Sequence, residues 1–187
     1  MADEGSQIAG RKPRADAERN RLRLLEVAKA AFAEKGPAAS LDEIARTAGV
    51  GAGTLYRHFP TRDALIAAVY RNVYEQLADA AERLAETLGP VDALRQWMKL
   101  FVDYMATKQV MAQVLNTLEG DASGLREASG AQIKRTIAEL ADRAVAAGAI
   151  RLRMDPLDLL RAVAAVPDKA AAEQLVDILI AGMRTTG

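Results

Sequence analysis

Residues 40–62 place two short helical patterns on either side of a glycine-rich turn, and no other stretch limits the possible folds as sharply. Ser40 followed by Glu43 has the spacing of a capping box, in which each side chain satisfies the other residue's backbone N–H. Leu41, Ile44, Ala45 and Ala48 then recur at helical spacing on one face. Gly49 is placed to end that helix, because a C-terminal stop commonly needs the left-handed conformation. Val50-Gly51-Ala52-Gly53 turns the chain, and Thr54 to Phe59 reads as a second helix with Leu55 and Phe59 facing inward. Two short helices around such a turn make the helix-turn-helix plan, whose second helix enters the major groove of DNA.

Ordinary helical packing units share that plan, so the outer face has to decide. The second helix carries Thr54, Tyr56, Arg57 and His58 with no acid among them; Arg46 and Thr47 precede the turn and Arg62 follows it. Hydroxyl, aromatic and cationic groups of this kind suit phosphates and base edges. Thr54 and Arg57 are the candidates for base readout, with Ala52 and Gly53 allowing close backbone approach. Tyr56, His58 and Arg62 suit phosphates, as does Ser40 at its helix N-terminus. Arg46 and Thr47 fit either task. For His58 the competing reading is a surface or packing histidine.

The remaining chain is rich in alanine and poor in aromatics, at 4%, which favours an all-α protein. It holds no cysteine and one histidine, which excludes disulfides, thiolate metal sites and a multi-histidine metal site within one chain, and suits a reducing cytoplasm. No apolar run approaches the roughly 20 residues of a membrane span, and the N-terminus has no signal-peptide core. Net charge is zero, but its distribution is uneven. Residues 10–62 hold 11 Lys/Arg against 6 Asp/Glu, while residues 63–187 hold 14 against 17. A basic head on a mildly acidic body fits a nucleic-acid-binding module joined to a second domain.

Helical periodicity predicts about nine helices. Residues 1–15 read as a disordered basic arm (Arg11-Lys12-Pro13-Arg14), either a solvated tail or a strand laid along DNA. A helix over 16–35, with Asp16 as N-cap and Leu24, Leu25, Ala28, Ala31 and Phe32 as its stripe, stops at Gly36-Pro37. Thr61 caps a long helix over 62–88, roughly 40 Å at 1.5 Å per residue, read as a rigid connector. Further helices are expected at 91–106, 108–118, 125–147, 156–166 and 169–183, the last two capped by Asp155 and Asp168. The domain reading is therefore arm 1–15, helix-turn-helix domain 16–62 and helical body 63–187.

In the body, Trp97, Met98, Phe101, Tyr104, Met105 and Met111 gather with few polar neighbours: Tyr74, Gln113, Asn116 and Thr117. The pattern fits either plain core or a largely apolar small-molecule site. In the last two helices Leu159, Val163, Val166, Leu175, Val176, Leu179 and Met183 spread wider than one face, and small residues such as Ala162 permit close approach. They either complete a monomer core or pair two copies as a four-helix interface. Enzymatic chemistry finds no support. No nucleophile–base pair or phosphate-loop spacing is present, and the sole histidine lies on the DNA face. A helix-turn-helix that binds protein instead of DNA remains the alternative.

Three separated elements carry a family resemblance: Leu24-Leu25 through Ala28, Phe32 and Gly36; Ile44-Ala45 through Ala48-Gly49-Val50; and Gly53-Thr54-Leu55-Tyr56-Arg57-His58-Phe59. Together they resemble the DNA-binding domain of the tetracycline-repressor (TetR) family over residues 17–70. One departure is Arg62 after Pro60-Thr61, where the family usually opens the next helix with lysine. The resemblance implies a bacterial cytoplasmic regulator, most often a repressor. It also implies a homodimer, on a palindromic operator, and a body that releases DNA when a small molecule fills it; with no charged cluster among the candidate residues, an apolar or weakly polar effector is expected, and no cofactor.

Overall fold

The computed structural model describes residues 11–120 and 122–185, and every regular element among them is helical. Eight α-helices follow in order: α1 Arg11–Lys35, α2 Leu41–Thr47, α3 Ala52–His58, α4 Arg62–Thr87, α5 Pro90–Leu115, α6 Ala122–Ala146, α7 Pro156–Ala164 and α8 Lys169–Met183. A single 3-10 turn, Gly36–Ala38, sits between α1 and α2. The all-α reading holds. The chain divides into two compact units: residues up to Val69 with Val110–Gly120, and Tyr70–Gln109 with the chain after Gly120.

In the first unit α1 packs on the 3-10 turn, α2 and α3, and α2 packs on α3. The stripe read from sequence is the core: Leu24, Leu25, Ala28, Phe32, Ile44, Ala45, Ala48, Leu55 and Phe59 are all buried, joined by Leu65 and Ile66 of α4. Burying each large apolar side chain contributes about 1.5–3 kcal/mol, so this small head is held chiefly by these residues. Gly49 ends α2 with φ of 69°, the left-handed region that L-residues avoid. Thr61 caps α4, its hydroxyl accepting the Ala64 N–H at 3.0 Å.

Four local expectations are corrected. Ser40 makes no side-chain cap; Glu43 is drawn away by Lys35, whose ammonium donates to its carboxylate at 2.6 Å. That ion pair holds the Glu43 carboxyl below its ordinary range and raises Lys35. Asp16 caps nothing, because the chain is already helical at Arg11 and Asp16 pairs with Arg19 one turn on. The basic segment Arg11–Arg14 is accordingly helical backbone, while the rest of the expected arm, residues 1–10, lies outside the described residues. Finally, α3 begins at Ala52 instead of Thr54, since the Gly51 carbonyl accepts the Thr54 and Leu55 N–H groups at 2.9 and 3.2 Å.

In the second unit α6 packs on α7 and α7 on α8. Asp155 accepts the Leu157 N–H at 2.9 Å with Pro156 following, and Asp168 accepts the Ala171 N–H at 2.8 Å, as the sequence predicts for both caps. The segments read as 91–106 and 108–118 form one helix, α5. The polar step Thr107-Lys108-Gln109 interrupts the apolar stripe, but no Gly or Pro there breaks the backbone. α6 likewise starts at Ala122, three residues before the reading, with Gly124 inside it. The loop after Gly148 is pinned by a single antiparallel bridge between Ile150 and Arg184, with Arg151 N–H donating to the Met183 carbonyl at 2.8 Å.

Candidate nucleic-acid interface

Leu55 and Phe59, 1% and 3% exposed, anchor the inner side of α3, and the Phe59 N–H closes the helix on the Leu55 carbonyl at 2.8 Å. Once those two positions are fixed, helical geometry turns Ala52, Gly53, Tyr56 and Arg57 outward, and all four are exposed. Thr54 and His58 flank them half-buried. α3 contains no acid and ends in Arg57 and His58. A Cβ built at Gly51 or Gly53 would meet nothing within 4 Å, so these glycines leave an open face and relieve no internal crowding. Arg46 and Thr47, at the end of α2, are exposed, as is Ser40 at its start. All ten candidate contact residues belong to one small unit, seven of them exposed and Thr54, His58 and Arg62 half-buried.

Arg62 is also held from within the unit. Its guanidinium donates to the Ala39 carbonyl at 2.7 Å and to the Pro37 carbonyl at 2.6 Å, and lies 5.5 Å from the centre of the Phe32 ring. The group assigned to phosphate is committed to the segment that leads into α2. Beside it Asp63 accepts the Glu119 N–H at 3.1 Å. On the other side Arg21 lies 5.9 Å from the centre of the Phe59 ring. Sequence reasoning missed these internal ties, because a surface arginine and a carbonyl-clamping arginine have the same local spacing.

The residues read as an effector site fall into two groups. Tyr74, Trp97, Met98, Phe101 and Tyr104 are buried in the second unit, and half-buried Met105 accompanies them. Trp97 donates its indole N–H to the Leu77 carbonyl at 2.8 Å, and Tyr74 donates to the Tyr70 hydroxyl at 2.7 Å. Met111 is buried in the first unit, whereas Gln113, Asn116 and Thr117 of that unit are exposed. The polar part of the set thus belongs to the first unit and the aromatic part to the second. The Tyr104 hydroxyl is buried without a hydrogen-bond partner. It lies beside the Tyr74 hydroxyl, and the interaction of the two adds to the rise that burial causes in Tyr104. Burial pushes both phenols well above their ordinary pKa, so both are neutral.

The residues read as an oligomer face also divide. Leu159, Val163 and Val176 point into the unit's own core, each at most 1% exposed. Val166, Leu175, Leu179 and Met183 are half-buried and Ala162 is exposed, while Ile178 is 61% exposed. Beside them runs an open groove of about 640 Å³, with Met154, Ile178, Leu179 and Met183 as its apolar lining and Arg151, Arg153 and Arg184 among its polar residues. Arg95 and Lys99 of α5 both bind Asp177 of α8, at 2.6 and 3.0 Å. This fixes α8 from its inward side.

A buried three-helix core that presents an acid-free helix after a glycine turn defines a helix-turn-helix, DNA-binding transcription regulator. Residues 24–69 match the bacterial regulatory proteins of the tetR family, and residues 89–185 match the C-terminal domain of SbtR-like transcriptional regulators. The chain belongs to the TetR family. The solved TetR regulator SCO0520 from Streptomyces coelicolor superposes with a TM-score of 0.79 at 41% identity, over 89% of this chain and 99% of that one. A TetR regulatory protein from Mycobacterium vanbaalenii gives a TM-score of 0.79 at 37% identity, over 92% and 99%. The transcriptional repressor LfrR of Mycolicibacterium smegmatis is 42% identical over 76 residues, 41% of this chain and 40% of that protein. This chain matches 40–55% of the length of such curated relatives. The family consists of regulators, not enzymes. No helix among the described residues is long and apolar enough to cross a membrane.

Proposed function

We propose that this regulator is an effector-responsive repressor, bound as a homodimer to a palindromic operator and released when a small, largely apolar molecule enters the helical body. The observation that carries the reading is the outer face of α3, where Tyr56 and Arg57 stand exposed on a helix without acid. Arg57 and Thr54 read base edges; Tyr56, His58 and Ser40 hold phosphates, and Arg46 and Thr47 serve either task. In this reading Arg62 positions the helix-turn-helix from within. Residues 16–62 form the DNA-binding domain and residues 63–187 supply the effector and dimer domain, with Val110–Gly120 clustering with the first unit. Ala162 of α7, Val166 just after it, and Leu175, Ile178, Leu179 and Met183 of α8, exposed or half-buried, supply the self-complementary patch a twofold dimer requires. Such a dimer offers two copies of α3 to half-sites one or more helical turns apart. LfrR carries the name of a repressor, which supports the direction of control.

The test is selection of random duplex DNA by the purified full chain at about 100 mM salt, followed by sequencing. An enriched palindrome is expected. Binding without enrichment that vanishes by about 200 mM salt would reflect backbone attraction alone and would overturn the operator reading.

A further inference from the structure

The open groove of about 640 Å³ in the second unit combines an apolar lining with a cationic one. Ten residues line it; three are arginines (Arg151, Arg153 and Arg184), and none is acidic or aromatic. Arg151 and Arg153 are exposed and make no side-chain hydrogen bond or ion pair among the described residues. Arg184 reaches Asp92 at 3.6 Å, an exposed pair of the kind that holds a charge weakly. The segments that carry these arginines are fixed to each other by their backbone. The Arg151 N–H donates to the Met183 carbonyl at 2.8 Å, and the Thr185 N–H to the Ala149 carbonyl at 3.2 Å. The Thr185 hydroxyl adds a bond to the Gly148 carbonyl at 2.7 Å. Beside the charges, Met154 and Ile178 leave apolar surface open, at 55% and 61% exposed. A Cβ at Gly182 would meet nothing within 4 Å, so the groove has room there.

We propose that this groove binds a single-chain anionic amphiphile, a carboxylate on an alkyl chain, and that this ligand competes with a second copy of the protein for α8. It is a second ligand, distinct in charge from the largely apolar effector of the body. Guanidinium groups match a carboxylate with paired, charge-assisted bonds. Met154, Ile178, Leu179 and Met183 favour burial of an apolar chain, and methionine side chains adapt to a flexible one. A flat ring finds no stacking partner, since no aromatic side chain lines the groove. The volume falls in the roughly 300–1,000 Å³ range of small-molecule sites. A neutral alcohol keeps the apolar contact and loses the ion pairs, whereas a quaternary amine is repelled. Binding stands on the groove itself. The competition rests on the homodimer reading above, because Ile178, Leu179 and Met183 also belong to the proposed dimer patch.

Octanoate, octanol and octyltrimethylammonium, each below the concentration at which it aggregates, test this by calorimetric titration of the full-length protein. Octanoate is expected to bind saturably and at least about tenfold more tightly than either of the others. Arg151→Gln combined with Arg153→Gln should bring octanoate down to the octanol level. Its melting temperature should not change, as both side chains are exposed. Gly182→Leu, which fills the groove from an open helical position, should weaken octanoate and octanol alike. Equal binding of octanoate and octanol, preference for the cation, or no saturable binding would overturn the proposal. So would octanoate affinity unchanged in either variant, which would put the carboxylate elsewhere in the protein. Sedimentation with and without octanoate tests the competition. A shift from dimer toward monomer is expected, and a dimer left intact at saturation overturns it. A chain already monomeric without octanoate removes the homodimer reading and with it the competition, while selective binding still establishes the site.

Discussion

Arg62 donates to the carbonyl of Ala39 across 23 positions of sequence, at 2.7 Å. With its second bond to Pro37, this ties the first turn of α4 to the segment that sets the start of α2. The arginine is part of the frame that holds the helix-turn-helix.

Arg62→Ala should therefore destabilise the head by about 1–2 kcal/mol, since two charge-assisted bonds, one of them exposed, are lost. Arg62→Lys should recover little of it, because an ammonium cannot reproduce the planar fork. Urea denaturation of the three proteins checks both statements. Operator affinity should fall in Arg62→Ala while its dependence on salt keeps the same slope, as no phosphate contact is removed.

Arg57→Ala should behave in the opposite way. Its side chain is exposed with no tie to the core, so stability should stay within about 0.5 kcal/mol. If it reads a base edge, operator affinity falls by about 1–3 kcal/mol and one position of the selected sequence relaxes. If it holds a phosphate, every sequence weakens alike and the salt slope drops by about 1. Binding titrations at several salt concentrations distinguish the cases.

Gly49→Ala places a Cβ at φ of 69°, which should cost about 1–2 kcal/mol. That Cβ would lie 3.8 Å from the Arg23 guanidinium, an ordinary contact, so the cost is conformational. Gly53→Ala, on an open helical position, should instead leave stability unchanged or slightly raised and register only in operator binding. Thermal melts of both variants make the comparison.

Asp177 gives the acid limb of stability a specific cause. Hydrogen bonds from Arg95, then Lys99, hold its carboxyl down at about 2 against an ordinary 3.8. A depressed folded-state pKa means stability that is fully present above about pH 4 and is lost as pH falls toward 2. Asp177→Asn should lower the melting temperature at pH 7, and the gap from the parent protein should close over that window. A gap that persists at pH 2 would rule out this pair as the cause.

Ile178→Glu tests the outward face of α8. Ile178 is 61% exposed, so the substitution should leave the unit folded. Sedimentation should show a shift from dimer to monomer, with operator affinity reduced. Val176→Glu would be uninformative, as that side chain lies in the core.

Much of this architecture was legible in the residues, for reasons that can be named. Leu24, Phe32, Ile44, Leu55 and Phe59 stand at helical spacing and are buried, because only one face of each short helix can find the core. Asp155 and Asp168 cap as expected, since the bond each makes is local. The failures have a common origin in competition between partners distant in sequence. Ser40 and Glu43 had the spacing of a reciprocal cap, but Lys35 took the carboxylate. For Arg62, local spacing did not reveal that two carbonyls bind its guanidinium. α5 was divided at a polar step because the apolar phase slips there, although the backbone had no reason to stop. The exposed face of α3 was readable because it is defined by what it lacks, an inward role and an acid. Leu159, Val163 and Val176 could not be separated from outward neighbours such as Leu179, as periodicity does not say which side of a wide apolar helix meets its own core.

The division of α5 between the two units, with Val110–Gly120 counted among the residues of the head, bears on how such proteins can be recombined. A chimaera that grafts residues 1–69 onto another regulator's body would leave behind eleven residues of the donor head, among them buried Met111, Val114 and Leu115 and the Glu119 N–H that Asp63 accepts. The transplanted piece would arrive with part of its apolar surface bare. Exchange of DNA specificity in this protein therefore calls for a graft in two pieces, or for rewriting α3 in place.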